Sequence, residues 1–475
     1  MIKKLTFIFL AYFTFAFGNA YAQTPDTFSR INQFIEQNIE KSHIPGLSIA
    51  IVDKNKVLFS KGYGKDGNNR AISSNSPFAI ASLSKAFTAM AVMQLVEAGK
   101  LNLDSPVKEY IPSFKVADSR ADQITVRQFL NQTSGLSDMV YPELTFKQQP
   151  ASTENTIENL KDVELAGNPG EKFHYHNPNY HVAARLVEVA SHERFSGYLK
   201  KHIFTPLQMT HSSNHHSTLE FRKNLPQGNI FLFGQPLAID EPNWFIEGSA
   251  GMVSTTSDLA KWLMMYMNKG TYNGQKLLSE QGIETMLTKP ANSSYGLGWF
   301  VDEQKNISHS GVLWTYQAEQ MILTKEGYGI VILFNSGINA FQDYHSFLQG
   351  VAEILTNQEP TFPFLPNSFY EMLLFAFIII TLGLTVMRFR NLRMWAIKHK
   401  AKPSWVVISK SIVRLIPIAL FVSAPSILAL ISQRALSWER IFLMVPSGMI
   451  WLGVVGICNL LIVAARIIQL NKRLF

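Results

Sequence analysis

With 475 residues the chain is too long for one small domain and has room for one large domain plus further segments. Its formal charge of +8 is unevenly placed. From Arg388 onward thirteen Lys and Arg face one acid, Glu439, so residues 1–387 carry a net −4, which gives a nucleic-acid binder little support. The single cysteine, Cys458, excludes an intrachain disulfide and a cysteine-based zinc site.

In chain order, residues 1–22 combine two lysines, an apolar run over 5–17 and small residues at Ala20 and Ala22. That pattern predicts a secretory signal peptide with Gln23 as the mature start, an uncleaved anchor being the rival reading. An amphipathic helix is expected over 28–41, before Pro45-Gly46. Strands over 47–53 and 56–63 follow, separated by a polar turn. Ser82 opens a helix over 83–98 that Gly99 ends. From 101 to 287 the pattern is mainly helical, including 181–190, 195–203 and 256–267. Strand patterns return over 296–302, 306–310, 316–323 and 328–335, and a helix over 343–355 closes the run. Strands from both ends around a helical block predict an α/β (α+β) fold. One antiparallel sheet is flanked by terminal helices, a mainly helical lobe is inserted, and a cleft lies at the seam between the two lobes.

Beyond Pro360, Pro363 and Pro366 lie three apolar stretches, roughly 369–387, 415–431 and 441–464, each near the length that crosses a bilayer. A buried core helix is the competing reading for any one of them. The loop after the first carries Arg388, Arg390, Arg393, Lys398, Lys400, Lys402, Lys410 and Arg414 without an acid, so it is expected on the cytoplasmic side. The loop 432–440 then returns outside, in agreement with the export signal. Glu371, near the outer end of the first stretch, is read as interfacial.

Three short motifs carry chemistry. In Ser82-Leu83-Ser84-Lys85 a spacing of three puts a hydroxyl and an amine one turn apart on one helix face. Lys85 can take the proton of Ser82 if desolvation or nearby cations lower its pKa. Tyr175-His176-Asn177 offers a phenol able to shuttle a proton, and an amide for the lysine or a substrate. In His309-Ser310-Gly311, Gly311 permits close backbone approach and His309 forms a polar or cationic wall. Taken singly, each has an ordinary structural reading: a chance Ser-x-x-Lys, a helix-entry turn and a surface histidine. His211, His215 and His216 sit in a polar loop and read as solvated, with a metal site as the rival.

Together with Phe78-Ala79-Ile80-Ala81-Ser82, Asn131-Gln132-Thr133-Ser134-Gly135-Leu136, the run from Gly251 to Ala260 and Tyr295-Gly296-Leu297-Gly298-Trp299, these motifs resemble the penicillin-recognising serine hydrolases. That family includes class C β-lactamases, D-alanyl-D-alanine carboxypeptidases, D-aminopeptidases and related esterases. The resemblance spans about 28–355. It implies Ser82 as nucleophile, Lys85 as its proton acceptor, Tyr175 as shuttle, and an oxyanion hole from the backbone N–H groups of Ser82 and Val312. The chain departs from many β-lactamases by carrying His309 in place of a lysine. The tail is similar to that of membrane-anchored periplasmic peptidases that remove an N-acyl-D-asparagine cap from exported prodrugs. Ala79 stands where those have an acid, and Val312-Leu313-Trp314-Thr315 where they have an asparagine; Glu247 is a candidate for the missing polarity.

The resulting expectation is a signal peptide over 1–22, a β-lactamase-like hydrolase domain over 23–358, a linker over 359–368 and a membrane domain over 369–475. The chain would be a multi-pass protein of the bacterial inner membrane with its catalytic domain on the periplasmic side. It would cleave an amide beside a D-amino acid in a small peptide-like or acylated substrate, through a serine acyl-enzyme, without metal or organic cofactor. The alternatives are a D-alanyl-D-alanine carboxypeptidase, a weak β-lactamase or esterase, and a penicillin-binding sensor that does not turn over.

Overall fold

Leu47, Ile49 and Ile51 alternate with Ser48, Ala50 and Val52, and both sets are buried. Such a strand needs cover on both faces. In the computed structural model, which describes residues 26–471 apart from Asn292 and Phe364, it has that cover. The segment read as a signal peptide lies outside the described residues. Gly46–Val52 lies inside a six-stranded sheet whose order is Phe300–Val301, Ile307–Val312, Gln317–Leu323, Tyr328–Phe334, Gly46–Val52, Val57–Gly64, every pair antiparallel. The first and last strands of the domain therefore meet at its centre, with Ile49 opposite Ile332.

Odd-numbered residues of Gly46–Val52, with Ile330, Ile332 and Phe334, pack beneath the two terminal helices, Thr27–Ser42 and His345–Leu355. Phe34 meets Phe347 edge-on, ring centroids 6.4 Å apart. Ala50, Val52, Val331 and Leu333 face the opposite core, which continues through the helices Ser84–Glu97 and Thr256–Met267 into the helical lobe. Sheet, terminal helices and helical lobe are as expected from the sequence.

Two elements differ. Of the strand expected over 296–302 only Phe300–Val301 pairs. Gly298, at φ +84°, presses its backbone so close to the helix Ser84–Glu97 that a Cβ there would lie 2.7 Å from Ala86 Cα, and this approach pulls the segment out of the sheet. Inside the block read as helical, Gly228–Leu232 and Gln235–Ile239 form a hairpin. Its turn, Phe233-Gly234, has positive φ at both residues, as a type I′ hairpin turn requires.

Three helices are long and apolar enough to cross a membrane among the described residues: Asn367–Arg390, Ser404–Ser432 and Pro446–Leu470. The third begins later than the 441 expected. Val445, just before Pro446, leaves the helical region (φ −146°, ψ 58°), and a separate short helix, Trp438–Met444, precedes it. Glu371 is fully buried. It accepts hydrogen bonds from Gly234 N at the hairpin turn (2.8 Å), from Asn339 Nδ2 (2.8 Å) and from Ser447 Oγ (2.7 Å). One carboxylate thus ties two apolar helices to the sheet-bearing part of the chain.

Candidate active site

Ser82 sits in a single 3₁₀ turn, Ala81–Leu83, that enters the helix Ser84–Glu97. Ala81 adopts φ +53°, an unusual conformation for a residue with a Cβ. Three bonds hold it: Ile80 N donates to Met252 O (2.9 Å), Ser84 Oγ to Ala81 O (2.5 Å), and Met252 N to Ser84 Oγ (3.1 Å). The strand Met252–Ser254, paired with Phe78–Ala79, therefore fixes the turn. On its other side runs Ile307–Val312. A Cβ on Gly311 would lie 2.1 Å from Ile80 O, so only glycine lets that strand reach the turn. Val312 ends the strand, 37 % exposed.

Lys85 is completely buried. Its Nζ donates to Ser82 Oγ (3.1 Å), Asn177 Oδ1 (2.8 Å) and Ser249 O (2.9 Å), so all three donors are used. Burial pushes its pKa well below the usual lysine range; the acid Glu143 opposes that, and the Arg434 guanidinium adds to it. Tyr175 lines the same cavity as Ser82 and lies with its ring centroid 4.7 Å from Lys85 Nζ. Burial raises its pKa, so it rests as the neutral phenol. The hydroxyl, the amine and the phenol meet in one crevice at the seam of the two lobes.

One stretch, residues 132–143, orients the Tyr175 turn from some distance along the chain. Gln132, at φ +64°, accepts from His176 N (3.0 Å) and Asn179 Nδ2 (2.6 Å) through Oε1, while its own carbonyl accepts from His174 N (2.9 Å). Asn177 Nδ2 donates to Glu143 (2.7 Å). His176 Nδ1 pairs with Asp138 at 2.7 Å. Burial pushes the Glu143 carboxyl up, with Asp138 adding to the effect, while His176 and Arg434 outweigh burial at Asp138 and hold its carboxyl down.

His309 lines the cleft but is not cationic, contrary to one of the sequence expectations. Its Nδ1 lies 2.8 Å from Ser310 O, which can only accept, so Nδ1 carries the proton and Nε2 accepts from Tyr295 O–H at 3.1 Å. Burial, with the Lys85 charge behind it, pushes the imidazole down to about 3. Glu247 does not line the cleft, so it does not supply the polarity sought there. The buried acid nearer the third motif is Glu241, which accepts from Trp314 N (3.1 Å), Thr315 N (2.8 Å) and Thr315 Oγ1 (2.7 Å) and whose carboxyl burial pushes up to about 7. His216 and His215 face Glu220, at 2.8 and 3.6 Å.

A cavity of about 350 Å³ opens over this crevice, lined by Ser82, Tyr175, Asn177, His309 and Val312. Leu428, Ser432, Arg434, Leu436 and Met444 also line it, from the end of one apolar helix, the loop that follows and the short helix Trp438–Met444. Arg434 Nε donates to Asp138 Oδ2. Sequence reasoning assigned this loop a side of the membrane but no place in the cleft. An arginine in a short connection carries no local signal of its partner 296 positions away.

A family model described as Beta-lactamase matches residues 31–349. Protein flp of Staphylococcus aureus strain MW2 is 28 % identical over 404 residues, covering 81 % of this chain and 80 % of that protein. The octameric penicillin-binding protein homologue of Pyrococcus abyssi has a similar structure, with a TM-score of 0.61 and 25 % identity, covering 70 % of this chain and 78 % of that one.

Proposed function

Since the chain belongs to the β-lactamase family of serine hydrolases, we propose that it is a membrane-anchored peptidase or amidase working through an ester on Ser82. The observation that carries the reading is the buried Lys85 amine 3.1 Å from Ser82 Oγ. Lys85, held toward the neutral amine, takes the Ser82 proton as Oγ attacks the substrate carbonyl. The N–H groups of Ser82 and Val312 receive the developing oxyanion. Tyr175 passes a proton to the departing amine, and the carbonyl–nitrogen bond breaks to leave the acyl-enzyme. Water, giving its proton back along Tyr175 and Lys85, then releases the acid and restores Ser82. Asn177 holds Lys85, and Gly311 gives the strand its approach. His309, neutral and donating to its own strand, forms a wall and not a charge.

In this reading residues 1–22 direct export, 23–358 are the hydrolase domain, 359–368 the linker and 369–475 the membrane domain. The basic loop between the first two apolar helices supports placing the hydrolase outside the inner membrane. The substrate is an amide beside a D-amino acid in a small peptide-like or acylated molecule, a capped prodrug being one such case. The test is hydrolysis of paired D- and L-configured N-acyl dipeptides by full-length protein in detergent. Cleavage of the D series that is lost in Ser82→Ala supports the proposal; equal cleavage of both, or activity surviving Ser82→Ala, contradicts it. The likeness to a penicillin-binding protein homologue favours one second reading, a protein acylated by β-lactams without turnover. Fluorescent penicillin that labels and stays bound while no peptide is cleaved would select it.

A further inference from the structure

Among the described residues lining the cleft, Arg434 is the one charged side chain, His309 being neutral. It lies two residues beyond the helix Ser404–Ser432, in the connection to the third apolar helix. Its Nε is committed to Asp138, and its side chain is 38 % exposed. Among the described residues neither Nη1 nor Nη2 has a hydrogen-bond partner, neither is a buried unsatisfied atom, and the residue lines the cavity. Asp138, itself 2 % exposed, holds the guanidinium in a fixed orientation, and its other oxygen is taken by His176 at 2.7 Å. A planar fork pinned at one edge and free at the other matches the two oxygens of a carboxylate. Around it the lining is apolar: Leu144, Trp244, Leu428, Leu436 and Met444. As the one charged group of the lining, this cation favours a ligand of negative charge.

We propose that Arg434 is the specificity residue that receives a free carboxylate of the substrate, so that the membrane segment itself selects peptides bearing that group. The proposal rests on the cleft being a substrate site of a serine hydrolase, and it names the substrate class of that site: an apolar amino acid or short peptide with an unblocked carboxylate. Because the fork follows directly on an apolar helix, selection takes place at the end of that helix and not in the sheet-bearing part of the chain.

The test is binding, separated from turnover. N-acetyl-D-phenylalanine and its primary amide, which differ by one charge, are titrated calorimetrically into full-length Ser82→Ala protein in detergent, with and without Arg434→Gln or Arg434→Lys. The expected result is at least tenfold tighter binding of the carboxylate than of the amide, a preference that falls within twofold in Arg434→Gln and is partly kept by Arg434→Lys. The ratio within one protein cancels any loss of folded fraction. No preference in the starting protein, or a preference that survives Arg434→Gln, overturns the proposal. Failure of the hydrolase reading shows elsewhere, as cleavage that does not depend on Ser82.

Discussion

Lys85 concentrates the chemistry of the site in one side chain whose charged form is disfavoured. Since burial lowers its pKa, the neutral base grows as pH rises through the folded-state value and is lost as pH falls below it. The hydrolysis rate should therefore have an acid limb, and Lys85→Met should lower it about 10²–10⁴-fold across the profile, as read from initial rates. A flat profile in the wild type would remove Lys85 from the base role. His309 gives a stability prediction of definite sign. Its folded pKa of about 3 lies below the ordinary 6.5, so its contribution is intact above pH 6.5 and drains as pH falls toward 3. His309→Gln should flatten the acid side of the melting-temperature curve, and an unchanged acid slope would contradict the neutral assignment. At this scale the sequence was legible where spacing is local: Ser82 and Lys85 are one turn apart, and Tyr175 and Asn177 are neighbours. Glu143, Asp138 and Arg434 were not, because a buried carboxylate and its cation leave no mark on their own short segments.

Two elements decide whether the crevice exists. The strand Ile307–Val312 reaches the nucleophile turn only because Gly311 has no Cβ, which would otherwise meet Ile80 O at 2.1 Å. Gly311→Ala should cost about 1–3 kcal/mol or more in unfolding free energy and most of the activity. Gly167→Ala, with nothing within 4 Å of its Cβ, should stay within about 0.5 kcal/mol. Equal effects would show that the close approach is not required. The second element is the hairpin Gly228–Leu232 and Gln235–Ile239, whose turn is pinned by Glu371. Glu371→Ala leaves Gly234 N, Asn339 Nδ2 and Ser447 Oγ without this acceptor, each such loss being worth about 1–3 kcal/mol when buried. Faster amide exchange at Phe233 and Gly234 in that variant is expected; unchanged exchange would mean the carboxylate does not hold the turn. The sheet strands were readable from their apolar runs and polar turns. This hairpin was not, since Phe-Gly lacks the Asn-Gly turn signal and the segment lies inside a helix-rich stretch.

Over the whole molecule, the segment between the second and third apolar helices packs against the sheet-bearing part of the chain. Arg434, Leu436 and Met444 complete a wall of the cleft, and Arg440 stacks its guanidinium 5.1 Å from the Trp314 ring while Arg440 Nη2 donates to Asn243 O (2.8 Å). The three apolar helices of the tail were legible from length and hydropathy, but the place of the connecting loop in the cleft depends on contacts that hydropathy does not encode. A chain ending at Gln358 should thus label at Ser82 at least tenfold more slowly than the full chain, compared by fluorophosphonate in the same detergent. Equal rates would make the tail an anchor only. The central claim remains the covalent step at one hydroxyl beside one buried amine. The most direct measurement is mass spectrometry of full-length protein quenched during turnover of a D-configured N-acyl dipeptide. The account predicts an acyl adduct on the peptide containing Ser82, one per chain, missing in Lys85→Met. An adduct on another residue, or turnover with no adduct and no dependence on Lys85, would contradict it.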